Sequence, residues 1–91
     1  MVALMGYRPF HFELLTHDKE IANLSIRSLV VPGEYGSLGI LAHHVSLVAN
    51  LVGGTIWFEA EDGERREMDI SGGILTVGDN QAVVLADQVW E

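Results

Sequence analysis

Apolar and polar positions alternate along most of the chain, and a period of two marks strands that bury one face. Over residues 10–16, Phe10, Phe12 and Leu14 fall on one side, with His11 and Glu13 on the other. A second strand is expected over 24–31; its end, Leu29-Val30-Val31, is apolar without a break, as in a strand covered on both faces, and Pro32-Gly33 stops it. Residues 55–60 alternate again, with Ile56 and Phe58 opposite Thr55, Trp57 and Glu59. Asp62-Gly63 predicts a tight turn into a strand over 66–71, where Met68 and Ile70 oppose Glu67 and Asp69. Ser71-Gly72-Gly73 breaks the ladder, Ile74 to Val77 restarts it, and Gly78-Asp79-Asn80 predicts a hairpin into 82–86. Turn signals at such short intervals predict an all-β sandwich or barrel. One stretch disagrees: Leu41, Val45, Val48 and Leu51 stand at helical spacing and by themselves predict a short helix over 41–52, ended by Gly53-Gly54.

With 91 residues the chain makes a single domain over 1–91, with 1–9 expected as a flexible extension. It has no cysteine, so the core rests on aliphatic and aromatic packing alone. The chain is 48% hydrophobic, which is rich for so small a body and leaves apolar surface for a partner to cover. A net charge of −8, with five Lys and Arg in all, argues against nucleic acid and against direct binding to anionic lipid. No apolar run approaches the roughly 20 residues of a membrane span, and the first residues lack the order of a secretory signal.

Three places invite chemistry. Gly33, Gly36 and Gly39 follow an apolar run, yet Ile40, Leu41 and Ala42 stand where a phosphate loop needs Lys and Ser/Thr, and the dinucleotide spacing is not met. Glycines permitting positive φ in consecutive turns are the simpler reading. His43 and His44 are adjacent, so in an extended segment they point apart; no carboxylate stands at a helical i+4 spacing to join them, and nothing in the sequence requires His11 or His17 to fold nearby. Glu59, Glu61, Asp62, Glu64, Glu67 and Asp69 crowd one hairpin beside Arg65 and Arg66, the pattern of a solvated face. The serines lack a Gly-x-Ser-x-Gly setting. No catalytic residues, metal, cofactor or small-molecule substrate are expected.

Two blocks resemble the epsilon subunit of the rotary F-type ATP synthase. That family's pattern V-V-P-G-x-x-G-E-x-G-I-L-P-G-H-x-P-L-L stands here as V-V-P-G-E-Y-G-S-L-G-I-L-A-H-H-V-S-L-V over 30–48. Its second pattern, S-G-G-hydrophobic-L-x-V-x-x-N-x-V-x-V-L-A-D, stands as S-G-G-I-L-T-V-G-D-N-Q-A-V-V-L-A-D over 71–87, and the opening F-H-F-E-L-L-T-H-D-K is similar too. The resemblance implies a flattened β-sandwich of about ten short strands, and an extended, irregular path over 41–52 in place of a helix. It implies a non-catalytic rotor subunit of the central stalk, coupling the gamma shaft to the membrane c-ring during proton- or sodium-driven ATP synthesis. The place implied is the cytoplasmic face of the membrane, peripheral, within the complex. By position, Glu34, Tyr35, Gly36, Ser37, Leu38 and Gly39 are expected to meet the c-ring loops, and His44, Leu47, Val48, Ala49 and Leu51 the gamma subunit. A free-standing β-sandwich that binds a peptide or small ligand is the competing reading.

The chain departs from the family pattern at three points. Ala42-His43 replaces Pro-Gly, so a different turn backbone is expected there. Ser37 replaces an acid, which removes a charge-assisted contact unless Glu34 supplies it, and Ser46 replaces a proline. The sequence also ends near Trp90, where the family's helical hairpin would begin; the expectation is a short form without a helical domain, self-inhibition or ATP sensing. Trp90 reads either as a cap on the sandwich or as an anchor for gamma.

Overall fold

The computed structural model describes residues 8–90. Nine strands and no helix occur among them: β1 (Phe10–Leu15), β2 (Glu20–Gly33), β3 (Gly36–Ile40), β4 (Leu47–Leu51), β5 (Gly54–Ala60), β6 (Arg65–Ile70), β7 (Gly73–Gly78), β8 (Gln81–Ala86) and β9 (Val89–Trp90). The extension expected over 1–9 lies mostly outside the described residues. Its Pro9 is tied down, its carbonyl accepting a hydrogen bond from Asn80 Nδ2 at 3.1 Å.

The fold turns on β2, which is longer than its sequence signal and serves both layers. Its first half pairs with β1, and its second half with β3 on one edge and β5 on the other. Ile26 faces Ala60 and Ser28 faces Glu59, so Arg27 is one extra residue, a bulge that bends the strand and shifts its alternation. Ala22 and Ile26 point into the core before the bulge, Leu29 and Val31 after it. That phase shift makes the run at 29–31 look covered on both faces, yet Val30 is only half-buried.

One layer is β3-β2-β5-β6-β9 and the other β2-β1-β8-β7-β4, five strands in each when β2 is counted twice. The expected ten short strands are thus nine, one of them shared. The layers meet in the core, where Phe12 of β1 and Phe58 of β5 stand 5.2 Å apart, ring centroid to ring centroid.

The stretch at 41–52 is not helical. It makes a turn closed by the His44 N–H on the Leu41 carbonyl (3.2 Å), followed by β4, which lies antiparallel along β7. Pairing decides the segment: all five residues of β4 find partners on β7, and in that setting Leu47 packs on the core and Leu51 is buried. Gly54, expected to stop a helix, instead opens β5.

The hairpin at Asp79-Asn80 has both central residues at positive φ (51° and 58°), the geometry that matches strand twist in two-residue loops. Asn80 also binds outward: its Oδ1 accepts from the His43 N–H at 2.8 Å and its carbonyl from the His11 N–H at 3.1 Å. Replacing Asn80 with Ala should cost about 2 kcal/mol, combining left-handed strain with two lost side-chain bonds. Asn80→Gly keeps the backbone and should lose about half as much. Urea midpoints of the two variants separate the strain from the bonds.

Candidate partner-docking surfaces

The β2–β3 hairpin ends in a two-residue turn of Glu34 and Tyr35 between the paired Gly33 and Gly36. Gly36 has φ 126°, and a Cβ on Gly33 would lie 2.6 Å from the Gly36 carbonyl oxygen, so both positions demand glycine. Gly39 has ordinary φ and open space around it, so the three glycines are not consecutive positive-φ turns. The Glu34 N–H donates to the Asn50 carbonyl at 3.0 Å, fixing the turn against β4. Tyr35 consequently projects from a rigid base and is 98% exposed. Glu34, Gly36, Ser37 and Gly39 are also exposed, and Leu38 is half-buried against the core.

The residues assigned to gamma divide. Val48 is exposed, His44, Leu47 and Ala49 are half-buried, and Leu51 is buried. Leu51 cannot be an anchor for a partner, because the alternation of β4 points it inward. Val48 points outward, and the register shows what it joins. Across the outer face run two adjoining rows, Val48–Thr76–Val83–Glu13 and Asn50–Ile74–Leu85–Leu15. Five aliphatic side chains thereby share the outside of β4, β7, β8 and β1. Ile74, Leu85 and Val48 in that group are exposed. Sequence inspection missed Ile74, Val83, Leu85 and Leu15; their signal was unbroken apolar runs, which read as two-sided burial.

The opposite outer face is polar. Arg65 stacks its guanidinium 3.9 Å over the Trp57 ring and stands 3.5 Å from Glu67, while the Thr55 hydroxyl donates to Asp69 at 2.7 Å. The acids at 59–69 form this solvated face, with no buried carboxylate pair among them. Trp90 sits on the edge of that layer, paired with Asp69 and half exposed, and its neighbour Val89 is the residue that packs on the core.

Chemistry is sparse. Among the described residues no group of three or more His, Asp or Glu is placed to hold a metal ion. A shallow hollow of about 280 Å³ separates the turn at 16–19 from 87–90; there the Thr16 hydroxyl, 2.8 Å from Asp18, holds that carboxyl below its ordinary value.

The turn at 41–44 keeps a left-handed residue despite its Ala-His sequence: His43 adopts φ 59°, where a Pro-Gly turn would use its glycine. His43→Gly should raise stability by about 0.5 kcal/mol, since relief of strain slightly exceeds the entropy glycine loses on folding. The bond from its N–H to Asn80 is retained, and thermal unfolding would register the gain.

These features define a class first: a small two-layer β domain with one apolar outer face and a stiff projecting hairpin. Residues 9–91 match the family described as ATP synthase, Delta/Epsilon chain, beta-sandwich domain, and the chain belongs to that family. It is 35% identical over 80 residues to the ATP synthase epsilon chain of Dichelobacter nodosus, covering 88% of this chain and 56% of that one. It is 36% identical over 83 residues to the epsilon chain of Syntrophomonas wolfei, covering 91% and 61%. The chain therefore spans little more than half the length of these relatives. The same fold occurs in the mitochondrial ATP synthase of Euglena gracilis, with TM-score 0.84, 24% identity and coverage of 89% and 52%. It recurs in the central stalk and c-ring of the Tetrahymena thermophila enzyme, with TM-score 0.78, 18% identity and coverage of 89% and 65%.

Proposed function

We propose that this chain is a non-catalytic subunit of the central stalk of a rotary ATP synthase, coupling the gamma shaft to the c-ring. The observation that carries the reading is the apolar outer face of β4, β7, β8 and β1, set against a polar face on the other side. A soluble sheet normally presents polar residues on its solvent side. Exposed aliphatic rows of this kind mark a surface that another protein covers.

A joint that turns under load needs a stiff body and a broad contact, on the order of 2,000 Å² or more in permanent assemblies. A close-packed sandwich supplies the stiffness. In this reading the apolar face meets gamma. The hairpin residues Glu34 to Gly39 meet the c-ring loops, with Glu34 providing the acid that Ser37 lacks. The subunit then works at the cytoplasmic face of the membrane without entering it. Co-expression with the gamma subunit tests the reading: stable co-purification that survives added salt is expected, because apolar burial is not screened by ions. A chain that elutes alone overturns it.

A further inference from the structure

The edge of β4 that faces away from β7 carries a second kind of recognition. In an antiparallel ladder, the N–H and C=O of one residue point to the same side, and successive residues alternate. The Asn50 carbonyl accepts from the Glu34 N–H, so Asn50 faces away from β7, and Val48, two residues earlier, faces the same way. Among the described residues, β4 pairs on that side only at Leu51, with Gly33. The Val48 N–H and C=O and the Asn50 N–H thus open onto a groove of about 400 Å³ lined by residues 33–38 and 48–50.

Strands that end a sheet are usually guarded by charge, proline or a bulge. The part of β6 that β9 leaves unpaired follows that rule with Arg65, Arg66 and Glu67. The sequence of β4, Leu-Val-Ala-Asn-Leu, carries no such guard. We infer that β4 accepts an extended segment of a partner polypeptide as an added strand, hydrogen-bonded to Val48 and Asn50, with a basic side chain opposite Glu34. Among the described residues Glu34 is the sole charged one lining the groove, and the chain as a whole carries −8. A second copy is the wrong occupant, since it would bring two strongly acidic bodies and two Glu34 side chains together. Main-chain bonding supplies affinity in this mode, and the flanking side chains supply choice of partner. The inference rests on the rotor reading for its partner, but the docking mode is separate from it.

The test is residue-resolved hydrogen exchange on the chain, free and bound to a central-stalk and c-ring assembly stripped of its own copy. In the complex, the Val48 and Asn50 amides should exchange about ten-fold or more slowly. The Glu34 amide, already bonded, is the internal control. Asn50→Pro removes one of the two donors and leaves the β7 ladder untouched, so it should weaken the complex on the order of ten-fold. A complex in which both amides exchange as freely as before overturns the added strand and leaves the rotor reading standing. Failure to bind the assembly overturns both. Protection of the same amides by self-association of the free chain assigns the edge to a second copy and also overturns the inference.

Discussion

Phe12→Ala should remove most of the domain's stability. Phe12 is fully buried, lies 5.2 Å from the Phe58 ring and bridges the two layers at the middle of the core. Truncating a buried Phe costs about 3–5 kcal/mol, the lost transfer energy plus the cavity left behind. The whole stability of a domain this size is about 5–14 kcal/mol. Backbone collapse cannot fill the hole easily, because β1 is held on both edges, by β2 and by β8. With a urea slope of about 1.2 kcal/mol/M, the midpoint should fall by roughly 3 M. Phe12→Leu, which keeps most of the volume, should cost about 1 kcal/mol. Phe58→Ala should resemble Phe12→Ala alone, and the pair should fall short of additivity by about 0.5–1.5 kcal/mol, the aromatic contact itself. Equal losses for Phe12→Leu and Phe12→Ala would mean that the site is not close-packed.

Much of the fold is legible because the physics is local. In β1, β5 and β6 one face is core and the other is wet, so period two is visible residue by residue. In β2 the bulge at Arg27 displaces the buried positions from even to odd numbers, and no window across it keeps one phase. The helical spacing at 41–52 arises by accident from a turn joined to a strand: Leu41 and Val45 are exposed, Leu51 is core and Val48 faces outward. Only the pairing with β7 decides that segment, and this partner lies more than twenty residues further along. For the same reason the gamma-facing set drawn from consecutive positions includes Leu51, while its spatial companions on β7, β8 and β1 escape notice. In Ala82-Val83-Val84-Leu85-Ala86 every residue is apolar, which describes a strand covered twice. The domain covers it on one side only, and the outward side stays at least partly exposed.

A single cation on that side should therefore separate folding from assembly. Ile74→Lys places an ammonium at the centre of the aliphatic rows, beside Leu85 and Thr76, on a side chain already 45% exposed. In the free chain the lysine stem lies along its neighbours while the charge reaches water, so stability should change by less than about 1 kcal/mol. In the assembled stalk the same charge meets a covered apolar surface without a partner and must be desolvated, at several kcal/mol. The dissociation constant for the central-stalk assembly should rise about 100-fold or more, equivalent to about 2.7 kcal/mol. Glu67→Lys on the polar face changes the charge further but should leave binding unaltered apart from a small, salt-screened effect. The comparison discriminates between an apolar interface and general electrostatic attraction. If attraction to a basic stalk were the cause, the acidic domain would lose affinity with either lysine, and more with Glu67→Lys, whereas an apolar interface rejects only the one at position 74. Leu85→Lys, one strand away, should repeat the loss, and its combination with Ile74→Lys should be less than additive because either charge alone already unseats the same contact.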